Sequence, residues 1–254
     1  MKSYFVLSLI AYMILISCSS KKNILYVQDI DQTNLAVLRF ERPTLQANDI
    51  LKITVVAIEP TTAIPYNKPT VSLGSSSNLE LMRLEGYEVS ESLTIEFPQL
   101  GTISLKNRTP LQLATAIKQR LELEGHLIKP VVNVRLLNAK FTVLGEVARP
   151  GTYNFTESKL NLLQAIGLAG DLTINGQRTN IKLIREMDHQ RSVFHIDLTV
   201  SDWMNSDTYY IYPNDVIIID PNNPKVKSAG FVGNVGTAIT VVSVLLSTII
   251  LLTR

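Results

Sequence analysis

The feature that most constrains the fold is a run of uncharged residues, 228–253, between Lys227 and Arg254 at the C-terminus. As an α-helix these 26 residues would extend about 39 Å at 1.5 Å per residue. That length exceeds the hydrocarbon thickness of a bilayer, about 30 Å. The run follows a break at Pro221-Asn222-Asn223-Pro224. The sequence therefore predicts a single C-terminal transmembrane α-helix over residues 228–253. The alternative is a buried core helix of a soluble domain.

Small and hydroxyl-bearing residues occupy one side of this predicted helix. At 100° per residue they fall within an arc of about 140°, opposite most bulky aliphatic residues, although Val244 and Leu251 interrupt the pattern. Such a side lets helix backbones approach and hydrogen-bond, or it lines a water-filled lumen. The alternative is chance, because these residue types are common in membrane helices. The candidate pore-facing or helix-contact residues are Thr237, Thr240, Ser243 and Ser247, and the candidate close-packing residues are Gly230, Gly233 and Gly236.

The N-terminus has the pattern of an export signal. Lys2 precedes an apolar run from Tyr4 to Ile16, which is too short to cross a bilayer comfortably. The run ends in Leu15-Ile16-Ser17-Cys18, which resembles the lipobox of bacterial lipoproteins. This resemblance implies removal of residues 1–17 and acylation of Cys18, and several acyl chains suffice for stable anchoring. The alternative is an ordinary secretory signal with a chance cysteine.

Composition excludes several classes of protein. Lys and Arg number 24 against 22 Asp and Glu, so the chain lacks the basic footprint of a nucleic-acid-binding protein. A hydrophobic fraction of 46% is enough to fill a core, which excludes low-complexity disorder. A single cysteine excludes an intramolecular disulfide and a cysteine-based zinc site. The middle of the chain is therefore expected to be soluble, between the predicted export signal and the predicted C-terminal helix.

The middle of the chain begins with a segment that lacks a clear hydrophobic periodicity, and predicted strands follow it. Residues 18–45 are predicted to form an extended tether, whereas Ile50–Val56 is β-branched and partly alternating, as in a strand. Residues 58–80 contain three prolines and a serine-rich stretch, and are predicted to form a loop. Further strands are predicted at Leu93–Phe97, Thr102–Leu105 and Val131–Leu136.

An amphipathic helix is predicted before the last of these strands. Thr109 is a favourable N-cap residue, Pro110 suits the first turn, and Gly125 suits the C-terminal end. The apolar stripe of this helix consists of Leu113, Ile117 and Leu121.

A second set of similar elements follows. A strand is predicted at Phe141–Val147 and a helix at about Leu160–Leu168, with Gly170 near its end. The turn Tyr212-Pro213-Asn214-Asp215 leads into the last strand. The other predicted strands are Ile181–Arg185, Val193–Leu198 and Val216–Ile219. Strands around single helices predict an α+β fold with modules of about 80–90 residues.

Two short fragments recur between the two sets. Asn48-Asp49-Ile50-Leu51 is similar to Asn214-Asp215-Val216-Ile217, and each is a polar turn before a strand. Leu111–Ile117 and Leu160–Ile166 share Leu-x-Leu-x-x-Ala-Ile. Similarities this short also arise by chance, so they suggest a duplication without establishing one.

The sequence contains no recognisable catalytic constellation, and no cofactor or metal is expected. The three histidines, His126, His189 and His195, lack metal-ligand spacing and are interpreted as surface residues. Asp49 and Asp215 are more typical of turn-forming residues than of catalytic acids. Aromatic residues that either stack on sugars or pack on strands are Trp203, Tyr209, Tyr210 and Tyr212. This pattern favours a structural or transport role over an enzyme.

Seven stretches of the middle together resemble one known family. Those of the first half are 47–53, 97–103, 109–121 and 130–134, and those of the second half are 143–153, 165–170 and 213–217. They resemble the outer-membrane polysaccharide export family of the Wza type, whose members are translocon lipoproteins of capsule and exopolysaccharide. The most specific stretch is Gly145-Glu146-Val147 with Pro150-Gly151-Thr152-Tyr153. The family usually has a glycine near Ser92-Leu93 and another before Thr109, and this chain has neither.

The resemblance implies a domain organisation and a function. It implies a polysaccharide export domain over 46–138 and one soluble-ligand-binding β-grasp (SLBB) domain over 139–222, hence β-grasp-like modules in tandem. It also implies a ring-shaped homo-oligomer, lipid-anchored at the outer membrane, in which C-terminal helices form a pore for polymer. Implied partners are a polysaccharide chain, outer-membrane lipid and an inner-membrane polysaccharide co-polymerase or export protein, with no nucleic acid.

Two other functions are weighed against this one. In the first, the chain is a lipid-tethered periplasmic module that binds a soluble ligand through the β-grasp domain. In the second, it is an envelope enzyme acting on glycan, which requires paired carboxylates.

Overall fold

The computed structural model describes residues 21–32, 43–69, 83–187, 190–228 and 235–252. These residues form helices and strands around two hydrophobic cores. The first core is built from residues between Leu45 and Leu127, and the second core from residues between Ala139 and Ile219. Leu136 packs against both cores.

The first core is enclosed by a three-stranded sheet, a hairpin and one long helix. The strands are β1 (Ile50–Val56), β2 (Tyr87–Glu88), β3 (Thr94–Phe97), β4 (Gly101–Ser104) and β5 (Val131–Leu136). The antiparallel sheet has the order β2-β1-β5, with β1 in the centre, and β3 pairs with β4. A short helix α1 (Pro60–Ala63) and a 3-10 helix (Ile64–Tyr66) lie in the region predicted to be a loop.

The long helix α2 (Pro110–Leu123) begins where its capping residues predict. The Thr109 side chain accepts a hydrogen bond from the Gln112 amide, and the Gln112 side chain accepts one from the Thr109 amide. This capping box satisfies two amides that have no partner inside the helix. Gly125 follows the helix with a φ of 74°. The predicted stripe of Leu113, Ile117 and Leu121 is fully buried in the first core.

Two tight turns lie close to the places where the family usually has glycine, near Ser92-Leu93 and before Thr109. Leu93 and Asn107 each have a φ of 55°, in the left-handed region that glycine adopts without strain. Residues with side chains therefore hold a glycine-type backbone conformation at both turns.

The second core lies against a five-stranded sheet. The strands of this half are β6 (Lys140–Gly145), β7 (Gly151–Asn154), β8 (Leu160–Asn161), β9 (Ile181–Met187), β10 (Gln190–Ile196), β11 (Tyr210–Ile211) and β12 (Val216–Ile219). The sheet has the order β10-β9-β12-β6-β7, in which β12 and β6 are parallel and the other pairs are antiparallel. A short β8-β11 ladder and helix α3 (Leu162–Leu168), which Asn161 caps, complete this half.

Strand β6 ends two residues before its predicted end at Val147, because Gly145 leaves the strand conformation. Gly145 has a φ of 93°, and a Cβ atom there would lie 2.0 Å from the Ile219 carbonyl oxygen. The parallel neighbour β12 thus approaches the backbone at a point where only glycine fits.

Residues 21–32, which we call the N-terminal strap, differ from the extended tether that the sequence predicts. They contain 3-10 helices at Lys21–Asn23 and Ile30–Gln32. The amides of Val27 and Gln28 donate to the carbonyls of Leu198 and Thr199, at 2.9 and 2.8 Å. The strap is therefore bound along the second core.

Two helices lie in the C-terminal segment that the structure describes. After α4 (Asn223–Ser228), the structure has helix α5 over Val235–Leu252, which is 18 residues. Within the described ranges no helix has both the length and the apolar character to cross a membrane. The prediction of a single C-terminal transmembrane helix over 228–253 is therefore wrong.

Candidate functional site

The two recurring Asn-Asp fragments form the same turn. Asn48 and Asn214 have φ values of 67° and 68°. In each turn the following aspartate accepts a hydrogen bond from an amide three residues before it, Gln46 to Asp49 at 2.9 Å and Tyr212 to Asp215 at 2.8 Å. Both aspartates then lead directly into a central strand. The fragments thus agree in conformation as well as in sequence.

The two aspartates differ in the charge beside them. Asp215 is fully buried and receives two hydrogen bonds from Arg185, at 3.0 and 2.8 Å. Arg185 also lies 3.9 Å from the ring centre of Tyr212. Burial raises the pKa of Asp215, while Arg185 opposes that rise. This ion pair fastens β9 to the turn before β12.

Asp49 has no such partner. Its side chain is buried, and within the described part of the chain no basic side chain lies within 4 Å of its carboxylate. Burial raises the pKa of Asp49 to about 6, and the hydrogen bond from the Gln46 amide only partly opposes this. Asp49 is therefore a carboxylate that takes up a proton in mildly acidic conditions.

The turn of Asp49 also lies at the junction between the two cores. The Asn138 side chain accepts from the Ile50 amide and donates to the Asn48 carbonyl, both at 2.9 Å. The Gln46 side chain donates to the Glu186 carbonyl of β9 at 3.2 Å. The first turn is thus tied to both halves of the molecule.

The histidines and acidic residues form no metal site within the described ranges. His126 lies 3.4 Å from a Glu124 oxygen, and His195 lies 2.7 Å from the Asn180 side-chain oxygen. His189 lies outside the described residues. No group of three potential ligands is present in the part of the chain that the structure describes.

The aromatic residues near the end of the second half pack on one another. Tyr209 lies between Trp203 and Tyr210, with ring centres 5.9 and 4.8 Å apart. Trp203 is buried in the second core, and its indole nitrogen has no hydrogen-bond partner among the described residues. Only Tyr210 lies in a strand, whereas Trp203 belongs to a 3-10 helix (Asp202–Asn205), so these rings pack on one another where that helix meets β11.

The hydroxyl-bearing side of helix α5 forms hydrogen bonds within the helix. Thr240 donates to the Gly236 carbonyl and Ser247 to the Ser243 carbonyl, each at 2.8 Å. A hydroxyl that donates back to its own helix keeps only acceptor capacity for a neighbour. The backbone of Thr237 lies in this helix, whereas Gly230, Gly233 and Cys18 lie outside the described residues.

The structure also identifies three polar residues that no sequence motif indicates. Arg178 and Arg185 are buried, and each arginine is held through backbone carbonyls. Tyr26 of the N-terminal strap donates to Asp171 at 2.5 Å. Their spacing follows no motif, so only the tertiary contacts reveal them.

The comparisons with known proteins match both halves of this two-core α/β chain. Residues 41–137 match the family model described as polysaccharide biosynthesis/export protein, and residues 140–197 match the SLBB domain. Together the two matches cover more than half of the chain. The chain thus carries a polysaccharide biosynthesis/export domain followed by an SLBB domain, so the resemblance to the polysaccharide export family seen in the sequence is confirmed.

Two groups of curated relatives support this assignment. The EPS I polysaccharide export outer membrane protein EpsA of Ralstonia nicotianae is 31% identical over 146 residues, which cover 54% of this chain and 37% of EpsA. The capsule polysaccharide export outer membrane protein CtrA of Neisseria meningitidis is 29% identical over 192 residues, which cover 75% of this chain and 47% of CtrA. The matches thus span less than half the length of these relatives.

Proposed function

We propose that this protein is an outer-membrane subunit of a machinery that exports capsular polysaccharide or exopolysaccharide. The observation that carries the proposal is the adjacent pair of family matches over 41–137 and 140–197. The names of EpsA and CtrA, both polysaccharide export outer membrane proteins, support the location and the cargo. The role is not enzymatic, and the protein acts by binding and guiding polymer.

The proposed subunit acts as part of a homo-oligomeric channel. Helix α5 supports this, because Val244 and Leu251, which interrupt its hydroxyl-bearing side, are exposed and offer apolar surface for a partner helix. In the proposed assembly, the side bearing Thr237, Thr240, Ser243 and Ser247 contacts the same helix of neighbouring copies, with close packing at Gly230, Gly233 and Gly236. The pore-facing alternative depended on a membrane-spanning helix, so we do not retain it.

The proposed anchor is an acylated Cys18. The strap is bound to the second core from Tyr26 onward, and an extended chain spans at most about 3.6 Å per residue. The eight steps from Cys18 to Tyr26 therefore hold the second core within about 29 Å of the lipid surface. An inner-membrane co-polymerase or export protein, in this proposal, approaches from the periplasmic side.

The proposal is tested in the source organism by deletion and complementation. Loss of the gene is expected to abolish surface polymer, and the full chain to restore it. A Cys18→Ala variant, which cannot be acylated, is expected to restore little. A truncation after Ser228, which removes α5, is expected to leave polymer inside the cell. Normal surface polymer in the deletion strain would overturn the proposed function.

Cysteine crosslinking tests the helix contacts. Thr240→Cys and Ser247→Cys are expected to form dimers under oxidation, measured on non-reducing gels. Val242→Cys, which helical periodicity puts on the opposite side, is the matched control. Equal crosslinking at Val242, or a monomer throughout, would instead support the lipid-tethered binding module.

A further inference from the structure

A polar cavity of about 260 Å³ lies where the N-terminal strap meets the second half of the molecule. Three segments line it: the strap through Asn23 and Ile24, the loop 174–179, and the segment 222–224. The last segment belongs to the Pro-Asn-Asn-Pro break, 221–224, that stands out in the sequence. Ligand pockets usually measure about 300–1,000 Å³, so this cavity suits a ligand of one or two small rings.

Arg178 is a buried cation in the wall of this cavity. It is 5% exposed, and its terminal nitrogen Nη1 donates to the carbonyls of Thr173 and Gly176 at 3.3 and 3.0 Å. Its guanidinium lies 5.4 Å from the ring centre of Tyr26. Its Nε atom is buried and has no hydrogen-bond partner among the described residues.

Within the described ranges no acidic side chain lies within 4 Å of Arg178, whereas Arg185, the other buried arginine, is paired with Asp215. Burying a charge costs free energy unless a counter-charge and hydrogen bonds compensate for it. Arg178 therefore favours an anion from outside the chain, and a planar guanidinium fits a carboxylate especially well.

The remaining lining suits a hydroxyl-rich ligand. The side chains of Gln177, Thr179 and Asn223 line the cavity and make no hydrogen bonds within the described part of the chain. Ile24 and Ile174 supply apolar surface. This lining matches a sugar acid in three respects. The Arg178 cation suits its carboxylate, the unused amide and hydroxyl groups suit its hydroxyls, and the apolar wall suits its C–H face.

We propose that this cavity binds one acidic sugar residue of the exported polymer, with its carboxylate on Arg178. The inference rests on the proposed function, because export supplies the polymer. Tyr26 is a positioning residue, since its bond to Asp171 holds the strap that forms one wall.

Binding is measured by calorimetry on the full acylated chain in detergent. The probe is short fragments of the source organism's own surface polymer, compared with the same fragments after chemical reduction of carboxylates to alcohols. Native fragments are expected to bind at least tenfold more tightly than reduced ones, a difference of about 1.4 kcal/mol. Equal affinity, or tighter binding of inorganic phosphate than of the native fragments, would overturn the proposal.

Variants test the residue assignments. Arg178→Met is expected to weaken binding at least tenfold, whereas Arg191→Met, a change at an exposed arginine paired with Glu186, leaves it within twofold. If Arg178→Met fails to fold, Thr179→Trp tests the same cavity, because Thr179 is exposed and its enlargement fills the space. Unchanged binding by folded Arg178→Met, or by Thr179→Trp, would refute the site.

Measuring the amount of surface polymer in the same strains distinguishes a failure of the cavity assignment from a failure of the export function. If deleting the gene abolishes surface polymer while Arg178→Met binds normally, only the cavity assignment fails. If the deletion leaves surface polymer intact, the export function itself fails.

Discussion

Arg185 forms hydrogen bonds with both carboxylate oxygens of Asp215, and both side chains are removed from solvent. At the equivalent position of the first half, Asp49 has the same turn and is also buried, but it has no basic partner within 4 Å in the described residues. The two halves therefore use one local motif in two electrostatic settings. As a result, the aspartate of the second turn, Asp215, is held in an ion pair, whereas the carboxyl group of Asp49 in the first turn titrates.

Arg185→Met is expected to destabilise the second core strongly. The change leaves the Asp215 carboxylate buried without its cation, which typically costs about 3–5 kcal/mol. Urea unfolding followed by circular dichroism measures the loss. Arg191→Met removes a surface pair with Glu186 and is expected to cost no more than about 1 kcal/mol. Similar losses in the two variants would contradict the assigned role of the buried pair.

Asp49 is expected to make stability depend on pH. Its pKa is about 6 in the folded chain against an ordinary value of 3.8, so the folded state binds the proton more tightly than the unfolded state. The resulting stabilisation is complete below about pH 4 and is lost as the pH rises through 6. At 1.36 kcal/mol per unit, it amounts to about 3 kcal/mol.

Asp49→Asn provides the reference for that measurement. Asn keeps an acceptor for the Gln46 amide but does not titrate. We expect the unfolding free energy of the parent chain, minus that of Asp49→Asn, to increase by about 2–3 kcal/mol between pH 7 and pH 4. A difference that stays constant over this range would show that burial does not control the Asp49 proton.

Gly145→Ala is expected to disrupt the contact between β6 and β12. An added Cβ would meet the Ile219 carbonyl oxygen at 2.0 Å, in a backbone conformation with positive φ. The expected cost is at least about 3 kcal/mol. Gly125→Ala is the control, because its φ is 74° but no atom lies within 4 Å, and about 1–2 kcal/mol is expected there. Thermal unfolding should show a larger loss of stability for Gly145→Ala than for Gly125→Ala.

Thr109→Ala is expected to weaken the start of α2. It removes the acceptor for the Gln112 amide, and loss of an N-cap residue typically costs about 1 kcal/mol. Thr115→Ala in the same helix removes a hydroxyl that only donates back to the Leu111 carbonyl, and alanine is the better helix former. Chemical denaturation should show a loss for Thr109→Ala and no loss for Thr115→Ala.

Local sequence signals predicted much of the secondary structure correctly. The strands Ile50–Val56, Val131–Leu136 and Val216–Ile219 have the predicted bounds, and Thr109 caps its helix as expected. These features depend on side-chain alternation and on capping chemistry within a few residues. The shared Asn-Asp turn belongs to the same class, because Asx side chains favour it locally.

The helix motif shared by the two halves was less informative. Leu113 lies in the second turn of α2, whereas Leu162 begins α3. The capping box of α2 precedes Leu113 by four residues, but that of α3 precedes Leu162 by one. A motif of apolar spacing specifies which side is buried, and it does not specify where the helix starts.

The sequence by itself determined the resemblance to the family, and it also determined the Thr109 cap, the two Asn-Asp turns and most strands, because these local features depend on neighbours within a few positions along the chain. Only the tertiary structure decided that the N-terminal strap binds the second core and that Arg178 is buried at a cavity. These features join residues far apart in sequence, such as Tyr26 and Asp171. Whether a charge is paired or unpaired depends on which distant groups the fold brings beside it, and no local pattern contains that information.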